Sequence, residues 1–133
     1  MGLWVQIASG SSEPIYGQIV RQISEAIARG ELTAGDKLPA VRRLAEDLVV
    51  NPNTVARGYG ILEQQGLISS KMGSGTYVTD PKLRDKDAGR ISALAERMDN
   101  VIARGLNIGL SAEELREVFE GRLKNFKRDN KGT

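Results

Sequence analysis

Apolar residues recur every four positions from Ile15 through Ile19 and Ile23 to Ile27, with Val20 and Ala26 beside them. That recurrence gathers them on one face of a helix. Pro14 suits its first turn, where a missing N–H costs nothing. The helix is expected to run to about Arg29, and Gly30 to close it in the left-handed conformation. Ahead of it, residues 3–7 read as a short extended arm and residues 8–12 as a polar, flexible stretch. Residues 31–39 read as a turn-rich connection. Val41, Leu44, Ala45 and Leu48 then supply the i, i+3, i+4, i+7 stripe of a second helix over residues 40–48. Asn51-Pro52 signals a third, with Asn as N-cap and Pro as first helical residue. Val55, Tyr59 and Leu62 mark its buried face, and Gly66 ends it.

The period then changes. Residues 67–70 and 76–79 are β-prone, and Lys71-Met72-Gly73-Ser74-Gly75 between them makes a tight glycine turn, so a β-hairpin is expected. Asp80-Pro81 breaks the chain and residues 82–90 are a charged linker or a helix start. Ile91, Leu94, Met98 and Val101 step by three, four and three, a heptad-like seam. Residues 105–109 read as a loop. Ser111 and Glu114 fit a capping box, and Leu115, Val118, Phe119, Leu123 and Phe126 give a further apolar stripe. The tail from Lys127 is expected to fray. The fold class is mainly α with a small β-hairpin wing: a winged helix-turn-helix followed by a two-helix segment. The expected boundaries are an arm over 1–11, the winged helix over 12–80 and a helical dimerisation region over 81–133.

Composition narrows the chemistry. The 133 residues include no cysteine and no histidine. Disulfides, thiol catalysis, a Ser-His-Asp triad and His-ligated zinc are therefore excluded. No carboxylate pair sits with a nucleophile or a ligand set, so an enzyme is disfavoured and no cofactor is expected. No apolar run approaches the roughly 20 residues of a membrane span, and the start lacks a signal-peptide pattern. A soluble cytoplasmic protein is expected.

Charge alone does not announce a nucleic-acid binder. The net charge is +2; residues 1–80 hold seven Lys/Arg against eight Asp/Glu, and residues 81–133 twelve against nine. Between Lys37 and Gly75, however, five basic residues stand against three acidic ones. The second helix of a helix-turn-helix enters a DNA major groove roughly 12 Å wide, leading with its N-terminal end. Here that end carries Asn51, Asn53 and Thr54, with Arg57 one turn on. All can donate to phosphates or base edges, and the helix terminus adds its N–H groups and positive dipole end. Arg42 and Arg43 lie in the first turn of the preceding helix. Lys71, Gly73 and Ser74 form the tip of the wing. Each signal has a plain structural reading: an N-cap, a solvated charged face, a hairpin connector. Their order and spacing favour DNA over a winged helix used only for protein contacts.

The stretch from PIYGQI to GSGTYV, residues 14–78, resembles the DNA-binding domain of GntR-type bacterial transcription regulators. The carrying motifs are GELTAGDKLPAVRRLA, NPNTVARGY and GLISSKMGSGTYV. LWVQI before the first helix, the NPNTVARGY version of the third and the short two-helix tail resemble the YtrA subfamily. The resemblance implies that Arg42 contacts DNA, that Asn51, Asn53 and Thr54 add contacts, and that Gly73 approaches the minor groove. Many members carry arginine where this chain has Ala56, so Arg57 is the weaker carry-over. Val49 replaces a usual glycine, which implies a turn that is either strained or rearranged. Gly58 and Gly60 fall inside the third helix, each costing about 1 kcal/mol relative to alanine.

The two tail helices are too short to bury a sizeable core alone. They either fold back on the winged helix or pack on a second copy. The heptad-like seam favours a homodimer, with Leu115, Phe119 and Leu123 facing Ile91, Leu94, Met98 and Val101. A two-fold dimer presents two recognition helices to a palindromic operator. The resemblance further implies a repressor of a transporter operon and of its own gene. The sequence identifies no small-molecule effector.

Overall fold

The structure, a computed structural model, describes residues 5–84 and 86–129. Leu3 and Trp4 of the expected arm, and the last residues of the expected tail, lie outside the described residues. The chain divides into two compact units that meet between Arg84 and Asp85.

The first unit begins with α1 (Ile15–Ala28), followed by β1 (Lys37–Leu38), α2 (Val41–Leu48), α3 (Pro52–Gln64), β2 (Ile68–Lys71) and β3 (Gly75–Val78). The three strands form an antiparallel sheet in the order β1-β3-β2. The residues expected in the core are there: Ile19, Ile23, Ile27, Leu44, Ala45, Val55, Tyr59 and Leu62 are buried, together with Leu32, Leu38, Ile68 and Val78. Pro14, expected in the first turn of α1, is its N-cap. One detail differs from the expectation. The connection over 31–39 contains β1, whose Lys37 and Leu38 pair with Tyr77 and Thr76.

Left-handed residues follow α1, α2 and α3: Gly30 at φ 82°, Val49 at φ 57° and Gly66 at φ 78°. After each, a backbone N–H reaches back five residues: Glu31 to Ala26, Val50 to Ala45 and Leu67 to Leu62. This Schellman closure satisfies carbonyls that the helix leaves open. Val49 is the single non-glycine residue with positive φ among the described residues, so the strain expected at this turn is present in the backbone. It buys the abrupt reversal from α2 into α3.

The arm is held by two glutamines one turn apart on α1. The Gln18 amide donates to the carbonyls of Ala8 and Glu13 and its oxygen accepts from the Ala8 N–H at 2.7 Å. Gln22 makes the same two-way pairing with the backbone of Gln6. Gln18 is buried, and each amide group is satisfied as burial requires. Val5 and Ile7 pack against the core.

The second unit holds α4 (Ala88–Asn107) and α5 (Ala112–Asp129). The capping box is formed: Glu114 N–H donates to Ser111 Oγ at 3.1 Å, and Ser111 N–H to Glu114 Oε1 at 2.9 Å. Gly105, expected in a loop, is instead helical, buried and pressed against Leu115, whose side chain occupies the space a Cβ would take. The turn is correspondingly shorter, with Gly109 in the left-handed region. α5 is described to Asp129, and the rest of the tail expected to fray lies outside the described residues. No helix among the described residues is long and apolar enough to cross a membrane.

Candidate nucleic-acid interface

The α2–turn–α3 unit positions the candidate DNA-reading residues. α3 opens on Asn51, whose side-chain oxygen accepts from the Asn53 N–H at 2.8 Å. This cap uses the Asn51 carbonyl and leaves its amide donors toward solvent. Asn51, Asn53, Ala56, Arg57 and Gly60 are all exposed, while Val55, Gly58, Tyr59 and Leu62 face the core. Thr54 is half-buried at the helix start. The face offered to a partner is thus the one whose residue types suit base edges and phosphates.

Gly58 has a packing reason to be glycine. A Cβ there would lie 3.3 Å from Ile19 Cγ2 and 3.4 Å from the Tyr16 carbonyl. α1 and α3 therefore meet closely, and the crossing sets the recognition helix on the core. Gly60 has open space around it, so nothing in the structure requires glycine at that position.

Arg42 is exposed on α2, with no ion-pair partner among the described residues. Arg43, also exposed, is engaged by Asp47 one turn on at 3.3 Å. Arg57 lies over the ring of Tyr16, 3.9 Å from its centroid. This cation–π contact leaves the planar fork of guanidinium donors free at its edge. α2 starts at Ala40, which gives no side-chain cap, so the first N–H groups of α2 are open to an anionic partner.

The wing is built by β2 and β3 in the register Ile68–Val78, Ser69–Tyr77, Ser70–Thr76 and Lys71–Gly75. Its turn is closed by Ser74 N–H donating to the Lys71 carbonyl at 2.9 Å. Gly73 takes φ 75°, a conformation that strains any residue with a Cβ. Ser74 Oγ and Tyr77 OH share a hydrogen bond of 2.7 Å, and the Lys71 ammonium stands 5.5 Å from the Tyr77 ring centroid. Met72 is fully exposed at the tip.

Arg42, Arg43, Asn51, Asn53, Arg57, Lys71, Gly73 and Ser74 are thus all exposed on α2, the start of α3 or the wing. Sequence reasoning had not singled out Tyr16 or Lys37, which also belong to this surface. Tyr16 is the residue after Ile15 in the first apolar stripe, and its aromatic ring was the available signal. Lys37 opens the basic stretch but sits in a strand too short to show a period.

A helix-turn-helix with an exposed polar recognition face and an adjoining β-wing defines a winged-helix DNA-binding module. Residues 15–78 match the bacterial regulatory proteins of the gntR family. Over 128 residues the chain is 36% identical to the HTH-type transcriptional repressor YtrA of Bacillus subtilis (strain 168), covering 96% of this chain and 95% of that one. The chain belongs to the GntR family and is a DNA-binding transcription regulator, not an enzyme. The crystal structure of a transcriptional antiterminator from Listeria monocytogenes EGD-e superposes with a TM-score of 0.83 at 28% identity, over 91% of this chain and 90% of that one. AraR(DBD) in complex with operator ORX1 gives a TM-score of 0.51 at 32% identity, over 59% of this chain and 99% of that one.

Proposed function

We propose that the protein is a cytoplasmic repressor that binds a palindromic operator as a homodimer. The reading assigns residues 1–11 as an arm, 12–80 as the DNA-binding domain and 81–133 as the dimerisation region. Arg42, Asn51, Asn53, Thr54 and Arg57 face the major groove and its phosphates, and Arg43 supports them at the backbone. Lys71, Gly73 and Ser74 bring the wing to the adjacent groove. The relative YtrA is named a repressor, and AraR(DBD) is held on an operator. The proposal extends to control of a transporter operon and of the protein's own gene, with an unidentified small molecule as effector.

The observation that carries the dimer is an uncovered apolar row. Ile91, Leu94, Val101 and Phe119 are each more than half exposed within one chain, and Met98 nearly so. Leu115 and Leu123 on α5 are half-buried. An apolar surface of this extent needs covering, and a second copy offers a self-complementary face.

Sedimentation of the full chain, with DNA titration over a range of salt, tests the reading. A dimer whose log affinity falls linearly with log salt is expected. Arg42→Ala should lose about 1–3 kcal/mol of operator binding while folding normally. Salt-independent binding, or an unaltered Arg42→Ala titration, overturns the assignment of this surface to DNA.

A further inference from the structure

We propose that the groove between the start of α2 and the wing holds a backbone phosphate of bound DNA, with the Lys37 ammonium as its principal cation and Lys71 opposite. The inference rests on the DNA-binding role of this surface and adds to it a residue, Lys37, on the short strand β1.

Three observations meet here. First, β3 is the middle strand and the two lysines flank it: Lys71 on β2 is the register partner of Gly75, and Lys37 on β1 is the partner of Tyr77, two residues along the same strand. Second, the Lys37 side chain runs across Gly75. A Cβ at position 75 would stand 2.7 Å from Lys37 Cε and 3.5 Å from its Nζ. The lysine stem thus lies flat on the wing, where a glycine makes room for it. Third, the groove of about 450 Å³ into which it leads is lined by Lys37, Ala40, Val41, Lys71 and Ser74 among others, and none of its lining residues is acidic. Lys37 has no hydrogen-bond or ion-pair partner among the described residues, so its charge is uncompensated. An ammonium laid against a low-polarity wall, with a second lysine lining the same groove, attracts an anion. At the junction of a recognition unit and its wing, that anion is a phosphodiester of the duplex.

A phosphate contact carries no base information, which separates Lys37 from the residues of α3. Lys37→Met keeps the stem over Gly75 and removes the charge, and Lys37→Arg keeps the charge. With the full-length chain, Lys37→Met should lower the slope of log affinity against log salt by about 0.9 per bound chain. At about 0.15 M salt it should weaken operator and unrelated duplex DNA alike, by about five-fold per bound chain. Lys37→Arg should retain the parent slope. If the parent binds DNA with a steep salt dependence and Lys37→Met leaves slope and affinity unchanged, this site is overturned and the DNA-binding reading stands. A parent without salt-dependent binding overturns both. Inorganic phosphate separates the remaining source. If it saturates the groove in an NMR titration and the Lys37 signals do not move on adding duplex, the groove serves a free anion and the proposal fails.

Discussion

The Arg57 guanidinium stacks on the ring of Tyr16, joining the recognition helix α3 to the first turn of α1. Arg57 is long and exposed, and an unrestrained side chain of this kind loses rotamer freedom when it binds. The ring removes part of that loss beforehand and keeps the donor edge open. In the proposed DNA complex Tyr16 is therefore a positioning residue for Arg57.

Tyr16→Leu should weaken operator binding by about two- to five-fold, the size of an exposed cation–π contact. Tyr16→Phe, which keeps the ring, should bind like the parent. Fluorescence anisotropy at one fixed salt concentration compares the three. Equal affinity for Leu and Phe would show that the ring does not act through Arg57.

Val49 is a test of backbone strain. Its φ of 57° and ψ of 53° are left-handed, and at 89% exposure its side chain gains almost no packing in return. A left-handed L-residue costs roughly 1–2 kcal/mol, part of which glycine gives back through its floppier unfolded state. Val49→Gly should stabilise the protein by about 1 kcal/mol. Urea unfolding should show a higher midpoint with an unchanged slope. A lower midpoint would mean that the turn is relaxed with valine in place.

Much of this architecture was legible because it rests on local rules. The isoleucine stripe of α1, the Asn51 cap and the Ser111–Glu114 box each satisfy a backbone or burial need with residues close in sequence. What escaped was set by distant partners. β1 is two residues long and exists because β3 lies beside it. Gly105 looked like a breaker and is helical because Leu115 needs the space. Gln18 reads as a polar helix position, and its burial follows from the arm that returns over it. On the candidate DNA-binding surface the residue types announced themselves in α2, α3 and the wing, whereas Tyr16 and Lys37 join it through tertiary packing.

The protein has no histidine, so its pH response lies elsewhere, and Tyr59 supplies one at the alkaline end. Its hydroxyl donates to the Pro39 carbonyl at 2.7 Å, and burial pushes the phenol well above its usual range. The unfolded chain, with a tyrosine pKa of about 10, loses this proton first. Above about pH 10 the folded state holds more protons than the unfolded state, so stability falls as pH rises; below that the contribution is complete and flat. Tyr59→Phe should cost about 1 kcal/mol at neutral pH and lose less stability above about pH 10. Denaturation midpoints of both proteins across that range should converge; a constant gap would contradict the linkage.

In the proposed dimer the apolar row on α4 joins the second unit to function. Val101 is 66% exposed in the single chain, and in the proposed dimer it is covered. Val101→Glu would place a carboxylate without a partner in that interface, and the cost of desolvating it opposes association. Ala103→Glu adds the same charge two residues on, about 200° round the helix, and serves as the control. Sedimentation should find the parent and Ala103→Glu dimeric and Val101→Glu monomeric. Circular dichroism should show the first unit intact in all three, because its core is built from residues within Ile19–Val78. Operator affinity of Val101→Glu should drop to that of a single half-site, since linking two DNA-binding units raises the effective concentration of the second contact. Binding to a duplex carrying one half-site should barely change. A monomeric parent, or a Val101→Glu protein that sediments as a dimer and binds the operator normally, would mean that this row is not what joins two copies.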